Sequence, residues 1–122
     1  MENSIIVSQE VAVWLKAGHI SNFPENGSAC VKLNDEQIAI FNFSSRNEWY
    51  ATQNLCPHKH EMCLSRGLIG DAGGEPKVAC PFHKRTFSLK TGQGISDSLY
   101  EIKTYPIKVY GGFVFIGIME ED

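Results

Sequence analysis

Long hydrophobic runs are absent from this chain of 122 residues, and charge of one sign is not in marked excess. No stretch reaches 18 apolar residues, and the N-terminus lacks the charged and apolar regions of a secretory signal. The 14 acidic residues only slightly outnumber the 11 basic ones, which argues against a broad nucleic-acid-binding surface. We therefore expect a cytoplasmic protein that binds neither a membrane nor nucleic acid.

Cysteine is also scarce, at four residues, and no low-complexity tract, internal repeat or linker divides the chain. The length suits one domain, 1–122, with a core large enough to need no disulfide. In a reducing compartment, four cysteines are expected to be thiols or metal ligands. Their positions in the sequence must therefore indicate their role.

Apolar and polar residues alternate through much of the chain, which predicts short β-strands bounded by turn residues. Gly111 and Gly112 suit the tight turn of a hairpin near the end, and Pro106 favours a sheet edge. Segment 8–16 suits a helix or a strand, and we favour a strand. The predicted strands are 28–33, 37–43, 49–52, 77–80, 105–110 and 113–118. This pattern indicates an all-β antiparallel domain with one irregular segment, 55–91.

Two short motifs in the irregular segment each offer one thiolate and one imidazole. The first, CPH, contains Cys56 and His58, and the second, CPFH, contains Cys80 and His83. A proline after each cysteine stiffens the turn. Two sulfur and two nitrogen ligands suit either zinc or a two-iron, two-sulfide cluster. The spacing C-x-H followed by a distant C-x2-H favours the cluster.

These motifs, together with the following LSRG, VACPFH and KTG, resemble those of Rieske-type ferredoxin domains. More narrowly, the stretches DEQIAIF and LSRGLIGDAGGEPKVACPFHKRTFSLKTG resemble the small subunits of assimilatory NAD(P)H-dependent nitrite reductases. The resemblance covers roughly residues 29–118. It implies an antiparallel β-sandwich or barrel with an inserted cluster-binding subdomain of two loops.

The resemblance also assigns ligand roles by position. Cys56 and Cys80 would be thiolate ligands of the inner iron of a Rieske-type [2Fe-2S] cluster, and His58 and His83 would bind the outer iron. Some members of the family have lost these ligands. All four are present here, although the fold need not depend on the cluster, so the isolated chain could be without it.

The remaining cysteines and histidines are given simpler roles from their positions. His60 and Cys63 share the loop of Cys56 and could in principle enter a zinc site, but the cluster uses neither. We therefore expect Cys63 to be a small packing residue beneath the loop, and Cys30 to lie in the core. His60 is expected at the surface, and His19 in a solvated loop. High-potential Rieske proteins carry an extra cysteine on each loop, but Phe82 occupies that place on the second loop here.

The resemblance implies a subunit that transfers electrons or completes a complex, and that is not catalytic alone. Its partner would be a large flavin- and siroheme-bearing chain that takes electrons from NAD(P)H and reduces nitrite to ammonium in nitrate assimilation. One alternative is a ferredoxin for an aromatic-ring hydroxylating oxygenase. Another is a non-redox interaction module that has lost its cluster and holds structural zinc or no metal. The HKRTFSLKTG stretch and the insertion 70–76 favour the first reading.

Two further expectations concern the cluster end. Arg85 and Phe87 stand where high-potential members carry hydroxyl groups, so we expect a redox potential at the low end of the Rieske range. Segment 55–91 carries a net charge of +3, whereas the rest carries −6. We therefore expect Lys84 and Arg85 to help dock this end on an acidic partner surface.

Overall fold

The computed structural model describes residues 11–57, 61–82, 85–95 and 100–119. In these ranges the chain forms twelve β-strands. The strands are β1 Val11–His19, β2 Gly27–Leu33, β3 Glu36–Phe43, β4 Glu48–Gln53, β5 Leu55–Cys56, β6 Glu61–Met62, β7 Leu68–Ala72, β8 Glu75–Ala79, β9 Thr86–Ser88, β10 Thr104–Tyr105, β11 Ile107–Tyr110 and β12 Phe113–Met119. Short 3-10 turns occupy Ile20–Asn22, Ser44–Arg46 and Leu64–Arg66. No helix in the described residues is long and apolar enough to cross a membrane.

Two antiparallel sheets form the base of the molecule. One has the strand order β1-β12-β11, and the other has the order β10-β4-β3-β2. The predicted hairpin is confirmed, since β11 pairs with β12 and both Gly111 and Gly112 have positive φ angles of 61° and 84°. Pro106 separates β10 from β11, and β11 is an edge strand, as predicted. The choice of a strand over a helix near the N-terminus is confirmed by β1.

The segment between β4 and β10 forms an inserted subdomain with two further sheets, β5-β6 and β7-β8-β9. The all-β fold with an inserted subdomain is confirmed. The expectation that 55–91 is irregular apart from a strand at 77–80 was wrong, because five short strands lie there and only β8 corresponds to that predicted strand. Two-residue strands such as β5 and β6 are too short to leave a recognisable alternation in the sequence.

Strand β3 joins the base to the subdomain because it is buried on both faces. Successive side chains of a strand point to opposite faces. Ile38 and Ile40 therefore pack between the two base sheets, together with Val114 and Ile116. The alternate side chains of β3 pack against the subdomain in a second core. Its buried residues are Ala39, Phe41, Phe43, Cys56, Cys63, Leu64, Val78, Cys80, Phe87, Leu89 and Ile102.

Candidate metal centre

Cys56 and Cys80 enter the second core from two separate loops. Cys56 ends β5, where it pairs with Glu61 of β6, and its side chain is fully buried. Cys80 follows β8 directly, and its backbone N–H donates to the carbonyl oxygen of Arg85 at 2.7 Å, which closes the base of the second loop. Backbone pairing and hydrogen bonding within the inserted subdomain thus fix the positions of both cysteines.

A third thiol, Cys63, lies beside these two. One sulfur from each of the three cysteines lies within 4.8 Å of the others, and the Cys63 Sγ and Cys80 Sγ atoms are 3.6 Å apart. All three side chains are buried. The expectation that Cys63 packs beneath the loop is confirmed, but the sequence did not indicate that its sulfur would face the other two.

Asn54 fixes the position of Cys63. The Asn54 carbonyl oxygen accepts hydrogen bonds from the backbone N–H groups of Cys63 and Leu64, at 2.9 and 3.0 Å. Its side-chain Oδ1 accepts from the N–H of Ser65 at 2.7 Å, and its Nδ2 donates to Gln37 at 3.0 Å. Sequence reasoning missed this residue, because an asparagine after a strand most often signals only a turn.

The Cys63 thiol is in an environment that disfavours negative charge. Burial raises the pKa of the Cys63 thiol to about 12, and its hydrogen bond with Cys80 acts in the same direction, as do the charges of Cys80, Cys56 and Glu61. A thiol in this setting becomes a thiolate when a cation replaces its proton. The site is therefore one that a bound metal would stabilise.

The donor set fits the cysteine side of an iron–sulfur centre. With metal–sulfur bonds of about 2.3 Å and tetrahedral angles, two sulfurs on one metal ion lie roughly 3.7 Å apart. The Sγ atoms of Cys56 and Cys80 lie within 4.8 Å of each other, which is compatible with this separation. The predicted ligands His58 and His83 lie outside the described residues, as do His60 and Lys84. Their roles stay predictions.

Other expectations about single residues are tested by the structure. Cys30 is exposed, so its assignment to the core was wrong. It lies on β2, at the edge of its sheet, and points outward with Lys32. His19 is exposed as expected, but it ends β1, where its ring contacts Phe113 edge-on. Arg85 lies over the ring of Tyr100 at 5.8 Å.

The fold and the converging buried cysteines define an all-β protein with a candidate metal centre, and comparison with known proteins gives its family. Residues 13–117 match the family model of the Rieske-like [2Fe-2S] domain. Because the match covers most of the chain, this protein belongs to the Rieske-like [2Fe-2S] domain family.

Several relatives and several solved structures carry the name of a nitrite reductase or of its small subunit. The chain is 41% identical over 99 residues to the nitrite reductase [NAD(P)H] of Emericella nidulans, covering 77% of this chain and 9% of that protein. It is 38% identical over 91 residues to the nitrite reductase (NADH) small subunit of Escherichia coli K12, covering 75% and 83%. The NMR structure of the E. coli protein NirD superimposes with a TM-score of 0.78 at 32% identity, over 86% of this chain and 96% of that one.

A ferredoxin is similar as well. The ferredoxin component of the naphthalene 1,2-dioxygenase/salicylate 5-hydroxylase systems of Ralstonia sp. is 35% identical over 97 residues, covering 79% of this chain and 86% of that protein. The lengths of the relatives differ widely. This chain spans 9% of the E. nidulans protein but most of the E. coli and Ralstonia proteins.

Proposed function

We propose that this chain is the small subunit of a cytoplasmic NAD(P)H-dependent nitrite reductase, and that it carries a Rieske-type [2Fe-2S] cluster. The observation that carries this proposal is the convergence of Cys56 and Cys80 in a buried site, within a fold that matches nitrite reductase small subunits. The proposed ligands are Cys56 and Cys80 on the inner iron, with His58 and His83 on the outer iron. The cluster would supply a one-electron carrier, since two neutral imidazoles in place of two thiolates ease its reduction.

The partner in this proposal is a large chain with flavin and siroheme, which takes electrons from NAD(P)H and reduces nitrite to ammonium in nitrate assimilation. The small chain transfers electrons within the complex or completes it, and has no nitrite reductase activity alone. The E. nidulans relative supports the association, because this chain matches a short part of one much longer nitrite reductase.

The first test concerns the cluster. The chain is produced without oxygen, its iron and acid-labile sulfide are measured, and its EPR spectrum is recorded after reduction. We expect two irons and two sulfides per chain and the spectrum of a reduced Rieske centre. Cys56→Ser and Cys80→Ser should lose both, whereas Cys30→Ser should retain them because Cys30 is exposed. A folded wild-type chain without iron would refute cluster binding and favour the interaction module.

The second test concerns the partner. The large nitrite reductase chain encoded in the same genome is assayed for nitrite-dependent oxidation of NAD(P)H, with and without this chain. We expect the nitrite-dependent activity of the large chain to require this chain or to increase when it is added. This chain alone should show no such activity. The ferredoxin alternative would replace the proposal if this chain left the nitrite-dependent activity unchanged but delivered electrons to a ring-hydroxylating oxygenase.

A further inference from the structure

Cys63 is the buried thiol that the proposed cluster does not use. It follows β6 and begins the 3-10 turn Leu64–Arg66, and its exposed fraction is 1%. A cysteine that only filled space could point in any direction within the core. This one points at the sulfurs of Cys56 and Cys80.

We propose that Cys56, Cys63 and Cys80 form a three-thiolate site for one soft d10 cation of the Zn²⁺ class, which is bound when the chain holds no iron–sulfur cluster. This site goes beyond the proposed function and does not depend on it. Zinc and the cluster would share Cys56 and Cys80 as ligands, so one chain would bind either zinc or the cluster.

The distances suit such a site. The Cys63 and Cys80 sulfurs are 3.6 Å apart, close to the roughly 3.7 Å expected for two thiolates on one tetrahedral zinc. The remaining sulfur pairs lie within 4.8 Å, so a small shift of Cys56 brings all three to bonding distance of one ion. Three thiolates fill three of the four positions that zinc uses, and leave the fourth to a water or an imidazole.

The site is held in place before any metal arrives. Asn54 accepts the backbone hydrogen bond of Cys63, and the carbonyl oxygen of Arg85 accepts that of Cys80. Gly67 and Ala79 bring the two loops together, because a Cβ atom at Gly67 would lie 2.3 Å from the Ala79 carbonyl oxygen. A preformed set of soft ligands in a buried site selects thiophilic ions over hard ions such as Mg²⁺.

The test uses the cluster-free full-length chain, reduced and titrated with Zn²⁺ in competition with a chromophoric chelator. Zinc-edge X-ray absorption then counts the sulfur neighbours. We expect one zinc per wild-type chain with three sulfur neighbours. Cys63→Ser should bind zinc at least tenfold more weakly with two sulfur neighbours. Cys30→Ser is the matched control, since it removes an exposed thiol, and it should behave as wild type.

Three results would overturn the proposal: no zinc bound by the wild type, two sulfur and two nitrogen neighbours in the wild type, or an unchanged sulfur count in Cys63→Ser. If Cys63→Ser fails to fold, the sulfur count of the wild type decides alone. The proposed function is judged separately by iron content. Cys63→Ser should still take up the cluster and give the Rieske EPR signal, whereas Cys56→Ser should lose the cluster and bind zinc more weakly, with two sulfur neighbours.

Discussion

At the scale of single residues, two small polar or flexible positions arrange the site. Asn54 is buried and makes hydrogen bonds to two separate parts of the chain, Gln37 and the segment 63–65. Gly67 ends the turn that follows Cys63, and it contacts the strand that precedes Cys80. Neither residue could itself bind a metal in this arrangement. Both determine how closely the cysteine loops approach.

The close approach at Gly67 leads to a prediction. In Gly67→Ala the new methyl group would meet the Ala79 carbonyl oxygen at 2.3 Å and Val78 at 2.8 Å, so the loops must separate. We expect a loss of about 2–4 kcal/mol in the free energy of unfolding, and a lower iron content. Urea denaturation and iron analysis would measure both.

Gly70→Ala is the control for this prediction. Its methyl group would meet only the end of the flexible Lys77 side chain, at 3.4 Å. We expect a change of at most about 1 kcal/mol, in either direction. Equal effects of the two substitutions would show that the contact between Gly67 and Ala79 does not set the loop separation.

The residues near Cys80 also lead to a prediction of the redox potential. Phe87 is buried in the second core without a hydroxyl group, and Arg85 lies over the ring of Tyr100. Hydroxyl donors to the cluster sulfurs raise the potential because they stabilise the reduced state. We expect a midpoint below about +100 mV, within the lower part of the Rieske range. Protein-film voltammetry or an EPR-monitored titration would measure it, and a higher midpoint would contradict this assignment.

At the scale of elements, β3 and the β7–β8 hairpin connect the subdomain to the base. Strand β3 supplies apolar side chains to both cores. On the surface, Arg46 in the turn after β3 forms ion pairs with Glu48 of β4 and Asp71 of β7. Asp71 also accepts a hydrogen bond from the backbone N–H of Gly74 in the hairpin turn. This carboxylate therefore joins the inserted subdomain to the base.

These contacts predict a dependence of stability on pH. The hydrogen bond from Gly74, followed by the bond from Arg46, lowers the pKa of Asp71. A carboxyl group with a lowered folded-state pKa stabilises the fold above its unfolded pKa of about 4, and this contribution is lost as the pH falls through the folded-state value. In Asp71→Asn, the fall in unfolding free energy on acidification should therefore be shallower.

Urea denaturation between neutral and acidic pH would measure this difference. Asp35→Asn is the control, because Asp35 is exposed in the β2–β3 turn. It should follow the wild-type dependence. If the unfolding free energy of Asp71→Asn depends on pH as that of the wild type does, the contacts of Asp71 do not stabilise the folded chain relative to the unfolded chain.

At the scale of the whole molecule, the segment that forms most of the inserted subdomain also differs in net charge from the rest of the chain. The segment 55–91, which holds the three converging cysteines, carries +3, and the rest of the chain carries −6. A positive end of this kind would steer the site toward an acidic surface. Lys84 lies outside the described residues, so the structure describes only Arg85 of the proposed docking pair.

This asymmetry predicts the effect of a charge reversal on assembly. Arg85→Glu should weaken binding to the proposed large partner chain severalfold at low salt, mainly through slower association, and the difference should shrink as salt increases. Lys32→Glu is the matched control on the base, with the same change in net charge. Surface plasmon resonance at several salt concentrations would compare them. Equal effects would point to net charge alone rather than to the position of Arg85.

The sequence by itself determined several of the longer strands and the closing hairpin, because each depends on residues that are near one another in the chain. Alternation in 28–33 and 113–118 and the glycine pair at 111–112 all produced the predicted local structure. The Rieske-like family could be recognised for the same reason, since its motifs are short and contiguous.

The tertiary structure decided what depends on contacts between distant residues. Local alternation could not show that both faces of β3 are covered, or that Cys30 on an edge strand faces outward. Nor could it show that Cys63 and Cys80, 17 residues apart, bring their sulfurs to 3.6 Å. That approach requires the pairing of β7 with β8 and a glycine where two backbones meet, and both exist only in the folded chain.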